Sequence, residues 1–72
     1  MKKRSFTIAG HRTSVALEEE FWSALEAEAH TQSISMAGLV ARVDSARGSR
    51  NLASALRVHV LSRALEKMPT ES

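Results

Sequence analysis

The chain has 72 residues, a formal net charge of +2 and no cysteine, which excludes a two-domain enzyme and a disulfide-stapled scaffold. Its hydrophobic fraction is 43%, but eleven of those residues are Ala, so the large apolar side chains make a thin interior. Cores of this size are commonly completed by a metal or by a second subunit. His11, His30 and His59 do not have the spacing of a single metal site, and a second subunit is the expectation that remains.

The charge is segregated along the chain. Residues 1–16 carry Lys2, Lys3, Arg4 and Arg12 with no acid, residues 17–30 carry five Glu with no Lys or Arg, and the rest is mildly basic. A basic amino end of this kind suits contact with a polyanion. No apolar run approaches the roughly 20 residues of a membrane span, and the segment after Arg4 is too polar for an export signal. A cytoplasmic protein without membrane contact is expected.

Residues 1–11 read as a basic amino-terminal arm. From Arg12 to Leu17 the side chains alternate, with Thr13, Val15 and Leu17 on one side and Arg12, Ser14 and Ala16 on the other, the pattern of a short half-buried strand. Phe6 and Ile8 also alternate, but on the opposite parity, with Gly10 between the two sets. Either one longer strand is kinked at Gly10, or Ala9-Gly10-His11 lies near the tip of a tight hairpin.

Glu18-Glu19-Glu20 opens a first helix, since carboxylates complement the positive end of a helix dipole. Phe21, Ala24, Leu25 and Ala29 form its apolar stripe, widened by Trp22, and His30-Thr31-Gln32-Ser33 marks its end. Ser35 is placed to cap a second helix, in which Met36, Leu39, Val40 and Val43 recur at i, i+3, i+4 and i+7 as far as about Ala46. Residues 47–51 form a turn in which Gly48 suits a left-handed cap and Ser49 or Asn51 can cap the next helix. That third helix runs from about Leu52 to Lys67. Leu56, Val60, Ala53, Ala64, Leu61, Leu65 and Val58 cover so broad an arc of it that burial on more than one side is expected. His59 is assigned to its polar face, and residues 70–72 are expected to fray.

A lone strand cannot satisfy its own backbone groups. If its mate is the same strand of a second copy, an antiparallel ribbon with two-fold symmetry results. Thr13, Val15 and Leu17 then face the helices, and Arg12, Ser14 and Ala16 face outward. A two-stranded ribbon fits the major groove of DNA, where Arg takes guanine O6 and N7 and a hydroxyl takes several base edges.

With this strand, acidic-led helix and capped second helix, the chain resembles the ribbon-helix-helix family of dimeric DNA-binding regulators over residues 12–46. A short stand-alone bacterial variant is similar over nearly the whole chain, through Ile8-Ala9-Gly10-His11-Arg12-Thr13-Ser14-Val15, Glu20-Phe21-Trp22, Ala46-Arg47-Gly48 and Asn51-Leu52-Ala53-Ser54-Ala55-Leu56-Arg57-Val58. The resemblance implies a mainly α fold with one short β-strand: an intertwined homodimer with an intermolecular antiparallel β-ribbon, a core at residues 12–46, and a turn and third helix at residues 47–72 in the same domain. It implies base contacts by Arg12, Ser14 and Ala16, the last offering only a methyl group. Phosphate contacts are expected from Ser35, Met36 and Ala37 at the amino end of the second helix, where free amides and the helix dipole favour an anion. Lys2, Lys3 and Arg4 are expected to add phosphate affinity. Val15, Leu17, Phe21, Leu25, Leu39, Val40 and Val43 form the expected dimer core.

Catalysis finds no support, because no Ser has a neighbouring base and the Glu residues do not converge. No cofactor or metal is expected. The expected partners are double-stranded DNA and a second copy of the chain, with assembly into higher oligomers left open. The alternative reading is an antitoxin-like or adaptor module that captures a protein through the third helix.

Overall fold

Lys2–Ile8 and His11–Leu17 pair antiparallel as strands β1 and β2 in the computed structural model, which describes residues 1–68. Ala9 and Gly10 alone join them, with φ of 53° and 80°. Positive φ at both central residues is the geometry whose twist matches a two-residue hairpin. The hairpin geometry at Gly10 is therefore the one adopted, and β2 finds its mate inside its own chain. Two strands stand where a single one was expected, and residues read as a basic arm form the first of them.

The hairpin accounts for the change of parity. Its register places Ser5 opposite Ser14, Phe6 opposite Thr13 and Ile8 opposite His11, so even-numbered residues of β1 share a face with odd-numbered residues of β2. Phe6 and Ile8 thus join Thr13, Val15 and Leu17 on the side that packs on the helices.

Three helices come next among the described residues: α1 (Glu19–Gln32), α2 (Met36–Ala46) and α3 (Leu52–Lys67). Glu18 occupies the cap position of α1 and receives the amides of Phe21 and Trp22 on its carbonyl. The helix continues through His30, Thr31 and Gln32, beyond the polar run expected to end it, and closes at Ser33 in a left-handed conformation with φ 56°. Gln32 has a local reason to remain helical, because its side-chain amide donates to Glu28 one turn earlier at 2.7 Å. Ser35 Oγ accepts from the Gly38 amide at 3.0 Å and Asn51 Oδ1 from the Ser54 amide at 2.8 Å, so both later helices begin with the side-chain caps their sequences offer. Gly48, at φ 63°, lies one residue past the α2 cap, where a side chain would strain the backbone.

The helices and the inner face of the hairpin enclose one apolar core. Leu17, Leu25, Leu39, Val40 and Leu56 are fully buried, joined by Trp22, Val15, Val43, Ile8, Ala29 and Ala55. α2 touches β1 and α3 touches β2, which holds the hairpin as a lid across the bundle. The residues expected in a dimer core are thus buried within a single chain, Phe21 partly so, because β1 supplies the covering surface a partner strand was expected to bring. The third helix is buried on one side only. Within the chain, Leu61 and Leu65 are each 57% exposed. Residues 69–72, including the end expected to fray, lie outside the described residues.

Candidate nucleic-acid interface

The outer face of the hairpin is built from three cross-strand pairs: Lys3 with Ala16, Ser5 with Ser14, and Thr7 with Arg12. All except the half-buried Ala16 are exposed. The face carries two cations and no acid, and the Ser5 and Ser14 hydroxyls lie 2.9 Å apart at its centre. One hydroxyl donates to the other there, which leaves a donor and acceptor capacity turned outward. Arg12, Ser14 and Ala16 therefore lie on one outward face of β2, as their alternation required. Lys3, Ser5 and Thr7 of β1 complete it. Alternation in β2 does not single out Ser5 and Thr7, and the signal that finds them is the register set by a two-residue turn.

The three basic residues at the amino end do not act alike. Lys3 belongs to the outer face, whereas Lys2 and Arg4 belong to the inner one. The Arg4 guanidinium sits 5.2 Å from the centre of the Trp22 ring and 3.1 Å from Glu26 Oε2, so it is engaged in attaching β1 to α1. Trp22 in turn donates from its indole Nε1 to the Lys2 carbonyl at 2.8 Å. One aromatic residue on α1 thereby fixes the stretch of backbone that carries Lys3.

Ser35 and Ala37 are exposed and Met36 is half-buried at the start of α2. The Ser35 cap uses the Gly38 amide and leaves the amides of Met36 and Ala37 outside the intrahelical ladder. Arg42 donates to Gln32 Oε1 at 2.6 Å, and Arg47 pairs with Asp44 at 2.8 Å while also donating to the Arg50 carbonyl.

The acidic stretch is not uniformly a solvated face. Glu28 is 9% exposed, accepts from Gln32, and has His59 Nε2 at 2.8 and 2.9 Å from its two oxygens. A carboxylate only accepts, so the imidazole presents an N–H there. His59 is accordingly turned into the α1–α3 contact and away from the polar face assigned to it. Glu18, exposed, is held below its ordinary value of 4.5 by a hydrogen bond from its own backbone and by Arg57, whose Nε lies 3.1 Å away. Among the described residues no group of three His, Asp or Glu stands close enough to hold a metal ion, and no helix is long and apolar enough to cross a membrane.

The order of ribbon, helix and capped helix agrees with a direct comparison. Residues 1–64 match the family model of the ribbon-helix-helix domain. The chain belongs to the ribbon-helix-helix family. No curated protein and no solved structure matches it. Members of the family are typically DNA-binding transcriptional regulators that form dimers and are not typically enzymes. The match begins at residue 1, so β1 lies within the family domain.

Proposed function

We propose that this ribbon-helix-helix protein is a homodimeric regulator of transcription that binds double-stranded DNA in the cytoplasm, reading the major groove with the outer face of its β-ribbon. The observation that carries the reading is the exposed, acid-free face formed by Lys3, Ser5, Thr7, Arg12 and Ser14. Its two-stranded width suits the groove. Arg12 supplies the bidentate donor that guanine accepts, the hydroxyls pair with several base edges, and Ala16 adds a methyl surface. Lys3 adds phosphate attraction. The exposed Lys2 and the amide end of α2 at Ser35, Met36 and Ala37 fix the orientation on the backbone, while Arg4, expected from the sequence to join them, is held between Trp22 and Glu26.

The turn supports a dimer that exchanges strands. Ala9 occupies a left-handed conformation, φ 53°, that costs an L-residue about 1–2 kcal/mol. A short, strained connection favours exchange of the element it joins. If the turn opens, β1 of each copy can pair with β2 of the other in the same register, and the buried faces are retained. The intertwined homodimer then has an intermolecular ribbon, with Val15, Leu17, Phe21, Leu25, Leu39, Val40 and Val43 beneath it.

The test is Arg12→Ala combined with Ser14→Ala. Sequence-selective duplex binding is expected to fall by two orders of magnitude or more, since each good base contact discriminates by about 1–3 kcal/mol, while circular dichroism and solution mass stay unchanged. Undiminished selectivity in that variant removes the ribbon from the interface.

A further inference from the structure

A groove of about 290 Å³ lies between α2 and α3, close to the lower end of the size range of small-molecule pockets. Its floor is apolar, made by Val43 and Ala46 of α2 and by Ala55 and Val58 of α3. Its rim is cationic. Arg42, Arg47 and Arg50 stand around the floor, and among the described residues that line the groove there is no Asp or Glu. The guanidinium groups retain donors. Arg42 gives Nη1 to Gln32, and Arg47 gives Nε to Asp44 and Nη1 to the Arg50 carbonyl, so Nη2 of each is left to donate. The exposed Arg50 side chain makes no hydrogen bond or ion pair among the described residues. The negative end of the α2 dipole accounts for a cation at Arg47, but Arg50 lies past that end, beside an apolar floor.

We propose that this groove binds a small organic anion, a carboxylate carried on a short apolar body. The arginine forks donate to the carboxylate oxygens, and the body covers the floor between the two helices. Charge complementarity selects the head group, and the apolar floor selects what is attached to it. A DNA backbone meets only the first requirement. The phosphate-binding end proposed at Ser35, Met36 and Ala37 is moreover at the opposite end of α2, an 11-residue helix and thus about 16 Å away. His59 stands on the α3 wall of the groove with its Nε2 bonded to Glu28. That bond anchors the wall to α1, so the groove is formed before a ligand arrives and little ordering cost is left for binding. The site is separate from the outer face of the hairpin and does not rest on the ribbon reading.

The experiment is an NMR titration of the full chain with hexanoate and with benzoate, following its methyl and amide signals. Hexan-1-ol supplies an apolar body without the charge, and inorganic phosphate the charge without the body. Hexanoate or benzoate is expected to shift the signals of Val43, Ala46, Ala55 and Val58 saturably, with an affinity about tenfold above that of either control. Arg50→Gln removes a donor and Ala46→Leu fills the floor, both at exposed positions. Each is expected to weaken that binding about tenfold, with circular dichroism and duplex binding unchanged. Absence of a saturable shift with both carboxylates overturns the proposal. So does an equal response to hexan-1-ol, which marks a merely apolar patch, or to phosphate, which marks a merely basic one. Wild-type affinity in either variant overturns it as well.

Discussion

Trp22→Phe tests the link between the helical core and the ribbon. The indole is 1% exposed, donates to the Lys2 carbonyl at 2.8 Å, lies beneath the Arg4 guanidinium at 5.2 Å, and meets the Phe6 ring at 6.0 Å. Phenylalanine retains an aromatic face but has no N–H, so a partly buried carbonyl loses its donor, at about 1 kcal/mol. The smaller ring leaves unfilled space worth roughly another 1–2 kcal/mol, and the cation–π contact weakens by a few tenths. The expected loss is therefore about 2–3 kcal/mol, or roughly 10–20 °C in Tm for a domain of this size. Urea unfolding followed by circular dichroism measures it. Hydrogen exchange locates it, with protection falling first in β1 and α2 little affected. Because Arg4 works through the same ring, Arg4→Ala and Trp22→Phe should be less than additive only by the few tenths of a kcal/mol that the cation–π contact loses. A loss below about 0.5 kcal/mol in Trp22→Phe refutes the idea that this indole pins the ribbon.

Asn51→Ala removes the cap of α3 and should cost about 1 kcal/mol in chemical denaturation while leaving DNA affinity unchanged, because the Asn51 side chain bonds only within its own helix end. Ala9→Gly relieves the left-handed strain in the turn, so the closed hairpin should gain and a strand-exchanged dimer should weaken several-fold in sedimentation equilibrium; a tighter dimer contradicts exchange through this turn. The Glu18 carboxyl is lowered by its backbone hydrogen bond and by Arg57, so its contribution is present above the ordinary value of 4.5 and disappears as pH falls through the lowered one. Acid titration monitored by circular dichroism should accordingly show a shallower acid limb in Glu18→Gln, and an identical limb excludes this pair as a contributor.

How much of the fold the sequence discloses depends on whether the determining contacts are local. α2 is legible almost to the residue, because Ser35 caps it and Met36, Leu39, Val40 and Val43 mark its buried side within two turns of each other. Asn51 announces α3 in the same way. The end of α1 is less legible, since Gln32 is held by a bond to Glu28 and by Arg42 reaching across from α2. The burial of Glu28 has no local signal at all: a Glu in an acidic run looks solvated until α3 brings His59 against it. α3 shows the converse. Its broad apolar arc is visible in the sequence, but which part of that arc the chain itself covers is decided by where α1 and α2 lie.

The candidate site is half legible for the same reason. Alternation along β2 identifies Arg12, Ser14 and Ala16 as one face from the sequence alone, because side chains in a strand repeat every two residues. Their companions on β1 depend on register, and register depends on two residues, Ala9 and Gly10. The change of parity between Phe6-Ile8 and Thr13-Val15-Leu17 contains that information, since a two-residue antiparallel turn must bring even positions of one strand beside odd positions of the other. This constraint does not specify which chain contributes β1. Closing the hairpin within one molecule, or exchanging it with a partner in the same register, places Lys3, Ser5 and Thr7 beside Ala16, Ser14 and Arg12 in either case. The reading face is therefore a property of the register, and the choice between closed and exchanged forms determines how many such faces one assembly presents to a duplex.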